Sequence, residues 1–256
     1  MLSRLFGRPR APARAARVPE GTRVYAIGDI HGRSDLLGAL HGMIRADAAE
    51  SRAERNVIVY LGDYVDRGMD SRGVIDAIIA PDDDGFERVC LKGNHEDLML
   101  TFLDDHAAAP NWFFNGGLAT LASYGVSPRT DTAAMRLSHD VQLALRDAIP
   151  PAHLAFLRSL ALHHAEGDYL FVHAGVRPGV ALADQDPFDL MWIRDAFLDA
   201  RGDHGQVVVH GHSIAPEPVD AGNRVGIDTG AYFSGVLTCL VLQGAERSVM
   251  RTGREP

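Results

Sequence analysis

The chain has 256 residues, of which 46% are hydrophobic and 23% charged, an ordinary globular composition that provides for one sizeable core. Its net charge of -9 argues against a broad electrostatic grip on a nucleic acid polymer, leaving room only for a local basic pocket. No apolar run approaches the roughly 18 residues of a spanning helix, so no transmembrane segment is expected.

Residues 1–21 place five arginines before the first acid, Glu20. They lack the continuous apolar stretch of a secretory signal, and Pro9 and Pro12 interrupt any helix. The segment reads as a flexible basic leader, with a membrane-touching or organellar transit role through Leu2, Leu5 and Phe6 as the alternative. A single domain is expected over residues 22–256.

From Thr22 onward, short β-branched runs alternate with helical patterns. VYAI runs into Gly28-Asp29, and Ser34 is placed to cap a helix carrying Leu36, Leu37, Leu40, Met43 and Ile44 at helical spacing. VIVYL runs into Gly62-Asp63, a helix follows over 73–80, and Pro81 to Gly85 with its three aspartates reads as a solvated turn. VCL then runs into Lys92-Gly93-Asn94, with a helix over 95–105. Residues 97–168 have weak strand signal, helical patterns near 132–147 and 151–160, and a loop-like NWFFNGG at 111–117, so they read as a helical insertion. Thereafter YLFV ends at His173, VVV at His210-Gly211-His212, and VGI at Asp228-Thr229-Gly230. Apolar runs of this length read as buried strands, and α/β sheets gather functional groups beyond the carboxyl ends of their strands. The polar clusters should therefore converge on one rim. Cys90 and Cys239 lie inside two such runs and read as buried hydrophobes, compatible with a reducing cytoplasm.

Those clusters supply Asp29 and His31 in GDIHG, Asp63 and Asp66 in GDYVDRG, Asn94 and His95 in GNHE, His173 in VHAG and His212 in HGHS. Oxygen and imidazole donors without thiolate suit manganese, iron or zinc in a catalytic site better than a structural zinc. Roughly 30 residues separate His31 from Gly62 and Asp66 from Gly93, enough for a helix and a strand in a βαβ step.

The ordered set DxH, GDxxDRG and GNHE resembles the calcineurin-like metallophosphoesterases. The DRG and the lone GH of GHS narrow the likeness to the phosphoprotein phosphatase family in its compact bacterial and phage branch. The resemblance covers about residues 23–242 and implies an α/β fold, a four-layer α/β/β/α sandwich of two mixed sheets flanked by helices. It further implies two divalent metal ions, manganese first, with iron or zinc as alternatives. Asp29 and His31 would hold the first, Asp63 would bridge, and Asn94, His173 and His212 would complete the second. The reaction implied is direct attack on a phosphate ester by a hydroxide bridging the two ions. His95 would donate a proton to the leaving oxygen with Asp66 orienting it, and Arg67, Arg194 and Asn94 would meet the phosphate. Guanidinium forks suit phosphate oxygens. For Arg194 a surface salt bridge with Asp195 or Asp199 is the alternative.

The leading expectation is a serine/threonine protein phosphatase, with phosphotyrosine a further candidate and a diadenosine tetraphosphatase-like nucleotide hydrolase as rival. For the rival, Trp112, Phe113 or Phe114 could stack a base, although aromatics there more often pack an inserted lobe. A binding protein that keeps the fold without the chemistry is a third reading. Plainer roles suffice elsewhere: His210 at a strand end, His41 half-buried on its helix, His163 and His164 on the surface, Lys92 and Glu96 tuning charge at a helix start. Tyr232 is a candidate for the substrate groove.

Overall fold

Alternation along the strands divides the apolar residues into three layers. The computed structural model describes residues 15–81, 85–127 and 134–253. In chain order its elements are β1 (Thr22–Ile27), α1 (Ser34–Glu50), β2 (Arg55–Tyr60), α2 (Ser71–Ile79), β3 (Phe86–Cys90), α3 (Asn94–Asp104), α4 (Ala109–Phe114), α5 (Gly117–Ser123), α6 (Ala134–Ala148) and α7 (Pro151–Ser159). They continue with β4 (His163–Glu166), β5 (Tyr169–Val172), α8 (Pro187–Trp192), α9 (Asp195–Leu198), β6 (Val207–His210), β7 (Val219–Asp220), β8 (Arg224–Gly226), α10 (Ala231–Ser234), β9 (Thr238–Gln243) and β10 (Glu246–Arg251).

The first sheet has the order β10-β9-β1-β2-β3 and the second β4-β5-β6-β8-β7. In the first, β1, β2 and β3 run parallel, with β9 antiparallel to β1 and β10 antiparallel to β9 at one edge. In the second, β5, β6 and β8 run parallel between antiparallel β4 and β7. Because side chains alternate across a strand, Val24 and Ala26 of β1 meet Tyr169 and Phe171 of β5 between the sheets. Tyr25 and Ile27 point outward against Leu37 and Leu40 of α1. Leu170 and Val172 point the other way, onto Leu190 of α8 and Phe197 of α9. The result is the four-layer α/β/β/α sandwich of two mixed sheets flanked by helices. It aims the carboxyl ends of six parallel strands, three from each sheet, at one rim.

Several expectations shift in detail. Residues 15–21 belong to the fold and not to a leader, since Val18 is buried and the Arg17 and Val18 backbone amides donate to Asp168 and to Gly244 O; residues 1–14 lie outside the described residues. Ser34 is the first residue of α1 and its hydroxyl donates to Asp70, so it does not cap the helix. NWFFNGG is helical: α4 and α5 flank Gly116, which takes φ 105°. The helical stretch ends at Ser159, because His163–Glu166 pairs antiparallel with Tyr169–Val172 around Gly167 at φ 61°. Asp82, Asp83 and Asp84 of the expected turn lie outside the described residues.

Candidate metal centre

Six strand ends deliver the site. β1 leads into Asp29 and His31, β2 into Asp63, Asp66 and Arg67, and β3 into Asn94 and His95. From the second sheet, β5 leads into His173, β6 into His212 and β8 into Asp228. Every one of these residues except Arg67 is nearly sealed from solvent. Among the described residues, the non-glycine residues with positive φ are His31, Asp63, Asp66, Arg67 and His212. All five belong to the candidate site. Left-handed backbone at such residues costs roughly 1–3 kcal/mol each, so the surrounding fold must hold the loops against it.

The centre of the cluster is Asp63 Oδ2. The Nε2 atoms of His31 and His173 each lie 3.5 Å from it, and that of His95 lies 3.9 Å away. These separations are too long for hydrogen bonds and leave space for a cation between the donors. Two sets of ligand atoms lie within 4.8 Å of one another, His31 with Asp63 and His95, and Asp63 with His173 and His212. The outer nitrogens fix the inner ones. His31 Nδ1 donates to Val65 O at 2.9 Å and His173 Nδ1 to Leu61 O at 2.9 Å, so each Nε2 presents its lone pair inward. Asn94 Oδ1 lies 3.0 Å from His173 Nε2. The buried Nε2 of His212 has no hydrogen-bond partner among the described residues, which is what a nitrogen reserved for a cation requires. The residues present therefore fit divalent metal ions.

Asp29 stands at the edge of this group. Its carboxylate accepts the His212 backbone N–H at 3.0 Å and contacts Asp228. Gly211 makes that approach possible, since a Cβ there would sit 2.0 Å from Asp29 Oδ1. Likewise, a Cβ on Gly93 would sit 2.1 Å from Asp63 Oδ1.

Burial and charge set the protonation pattern. Burial drives His31 down to about 3 and His212 to about 2, so both stay neutral and able to ligate. Burial, then the charges of Asp228 and Asp63, raises Asp29 well above the ordinary carboxylate range. Asp228 is pushed up to about 6, chiefly by burial. Burial alone would raise Asp63 too, yet the imidazoles of His173, His95, His31 and His212 outweigh it and hold the carboxylate low. For His95 burial works against the charged form, but the carboxylates of Asp63 and Asp66 prevail and raise it.

His95 has a different setting from the other imidazoles. Its Nδ1 lies 2.8 Å from Asp66 Oδ2 while its Nε2 has no hydrogen-bond partner among the described residues. Asp66 in turn accepts from Thr120 Oγ1 at 2.7 Å and from the Trp112 indole at 3.0 Å. The two arginines flank the cluster. Arg67 Nη1 donates to His31 Nε2 at 2.9 Å and lies 5.1 Å from the centre of the Tyr232 ring. Arg194 is exposed and donates to His212 O at 3.1 Å.

The sequence reading missed three supports. Glu96 accepts four backbone N–H groups, from Asp63 (2.9 Å), Tyr64 (2.7 Å), Val65 (3.2 Å) and Gly93 (2.9 Å). Burial lifts its carboxyl to about 8, but four donors leave it only the acceptor role of the ionised form. Trp112 is fully buried, stacked on Phe102, and unable to receive a base. Asp228 was visible only as a strand-end acid. His210 is buried with Nδ1 toward Gly211 O and its ring edge against Phe197, away from the cluster.

Oxygen and nitrogen donors converging at the strand ends of a two-sheet sandwich define a metal-dependent hydrolase. The family model for calcineurin-like phosphoesterases matches residues 22–235. The chain belongs to that family and is a metallophosphoesterase. A bis(5′-nucleosyl)-tetraphosphatase of the asymmetrical type from Anoxybacillus flavithermus is 29% identical, covering 84% of this chain and 88% of the relative. Serine/threonine-protein phosphatase 1 of Salmonella typhimurium is 26% identical, over 86% of this chain and 92% of its own. A solved structure provisionally described as a diadenosine tetraphosphatase superposes with a TM-score of 0.59 at 19% identity, over 95% of this chain and 97% of the other, a likeness of fold. Among the described residues, no helix is long and apolar enough to cross a membrane.

Proposed function

We propose that the enzyme is a phosphomonoesterase acting on phosphoserine and phosphothreonine in proteins. The observation that carries this reading is His95, bound at Nδ1 by Asp66 with Nε2 bare beside Asp63. A seryl or threonyl alkoxide is a poor leaving group and needs a proton as the ester bond breaks. Nε2 is placed to give it. In this reading Asp29 and His31 would hold one divalent ion and Asn94, His173 and His212 the other, with Asp63 serving both, manganese being the first expectation. When bound, such ions supply a hydroxide nucleophile near neutral pH and offset phosphate charge. Arg67 leaves His31 to take phosphate oxygens from one side, and Arg194 and Asn94 take them from the other. Tyr232 and the His212 carbonyl steady the two guanidinium groups. Unbridged Cys90 and Cys239 support a cytoplasmic setting.

A second reading, hydrolysis of dinucleoside tetraphosphates, is supported by the tetraphosphatase relatives and by an exposed aromatic face. Phe188 is 62% exposed and stacks on Trp192, whose ring edge meets His212, a platform suited to a base. The protein phosphatase is preferred because a polyphosphate leaves more readily and makes less use of an acid. Parallel assays on a phosphoseryl peptide and on diadenosine tetraphosphate, with manganese present, separate the two. Turnover of the peptide is expected to dominate, and turnover of the dinucleotide with none of the peptide overturns the choice.

A further inference from the structure

We infer that Asp228 is a further acidic group of the metal centre, one that holds Asp29 and raises the affinity of the Asp29 side for a hard divalent cation. The inference rests on the metal-centre reading above, which assigns it no part.

Its placement follows from the sheets. β6 and β8 are parallel and pair Val208 with Arg224, Val209 with Val225 and His210 with Gly226. Ile227 N donates to His210 O at 2.9 Å and Ala215 N to Asp228 O at 3.0 Å, so Asp228 follows the end of β8 alongside the loop that carries His212. The first sheet arrives from the other side. Gly28 packs so closely on Ile227 that a Cβ there would sit 2.6 Å from Ile227 O, which brings the next residue, Asp29, against Asp228. The two carboxylates are 2% and 4% exposed and in hydrogen-bond contact. Gly230 N donates to Asp228 Oδ1 at 2.9 Å, a turn contact that an uncharged oxygen would satisfy equally well.

The charge needs another reason. Two buried carboxylates in contact must share a proton or have a cation beside them. With Asp228 counted, the Asp29 side of the centre carries three carboxylates and the imidazole of His31. The other side shares Asp63 but otherwise offers one neutral amide and two imidazoles. Carboxylate-rich surroundings favour hard cations such as manganese or magnesium, while imidazole suits zinc or iron. The two subsites are therefore unequal, and the one beside Asp228 fills first with a hard ion. A carboxylate supporting a ligand in this way alters metal affinity by about 10- to 100-fold.

Calorimetric titration of metal-free protein with manganese tests the assignment through the variant Asp228→Asn, which keeps an oxygen for the Gly230 N–H and removes only the charge. Wild type is expected to take up two ions. In the variant the tighter one should weaken by about 10-fold or more while the other is unchanged. Without metal, the variant should melt no lower than wild type, because its amide donates to Asp29 where the two carboxyl groups otherwise have to share a proton. Unaltered manganese affinities overturn the inference, as does a metal-free variant that melts lower or fails to fold, which would make Asp228 a purely structural residue. Wild type that binds fewer than two ions would instead sink the underlying reading of the centre.

Discussion

His95 Nδ1 and Asp66 Oδ2 lie 2.8 Å apart in a fully buried contact, while Thr120 Oγ1 donates to the other carboxylate oxygen and the Trp112 indole to both. The imidazole is thereby held in one orientation, with Nε2 directed at the cluster. Substituting His95→Asn should lower kcat on a phosphoseryl peptide by about 10²- to 10⁴-fold, the usual span for loss of a general acid. An aryl phosphate, whose leaving group needs little protonation, should lose much less. Equal losses on both substrates would remove His95 from the acid role.

The same contact sets a pH dependence. Against the opposing effect of burial, the carboxylates of Asp63 and Asp66 raise His95 above an ordinary imidazole, so the acid keeps its proton into neutral pH and activity falls as pH climbs through the raised value. Asp66→Asn removes one of the two charges that favour the imidazolium. The basic limb of the kcat profile on a phosphoseryl peptide should then move to lower pH, by roughly one to three units for a lost neighbouring charge. Thr120→Val leaves the charge in place and should shift the limb far less. A basic limb that stays put in Asp66→Asn would place the titrating acid elsewhere.

How much of this was legible in the sequence depended on how far apart the partners lie. The repeated strand-end pattern singled out Asp29, His31, Asp63, Asn94, His173 and His212 as candidates, because each sits one to four residues beyond a run of β-branched residues that sheet pairing then aligns. Glu96 was legible as a helix-start acid. That it gathers the amides of Asp63, Tyr64 and Val65 depends on a loop from another strand folding over α3. Trp112 was placed in a loop because Gly116-Gly117 follows it, yet a Cβ on Gly117 would sit 2.5 Å from the Trp112 ring. That glycine serves close packing within a helical turn, which local propensity does not reveal. The contact of Asp228 with Asp29 arises only where two sheets meet at Gly28 and Ile227, and no spacing in the chain announces it.

Glu96 carries a stability prediction of its own. Its carboxylate is the shared acceptor for four amides that hold the Asp63 loop, including Asp63 itself at φ 51°. Glu96→Gln replaces one acceptor oxygen by an NH2 group facing N–H donors. Leaving buried donors unsatisfied costs about 1–3 kcal/mol, which should appear as a lower midpoint in urea with an unchanged slope. Because the loop carries Asp63, the carboxylate proposed to be shared by both ions, manganese affinity should fall as well. A variant with the wild-type midpoint and metal affinity would show that the loop holds without this clamp.

The two arginines should differ in what replaces them. Arg67 sits against the Tyr232 ring and donates to His31, whereas Arg194 is exposed and donates to the His212 carbonyl and Ser213. If both forks take phosphate oxygens, either alanine substitution removes charge-assisted hydrogen bonds of about 1.5–3 kcal/mol. That corresponds to a fall in kcat/KM on the order of 10- to 100-fold. Arg67→Lys should recover little of the loss, since a point charge on a flexible stem neither stacks flat on Tyr232 nor offers paired donors. Arg194→Lys, on the open side, should recover more. Steady-state kinetics on an aryl phosphate at saturating manganese measure all four variants. Wild-type kcat/KM in Arg194→Ala would assign that side chain to the surface and leave Arg67 as the sole phosphate clamp.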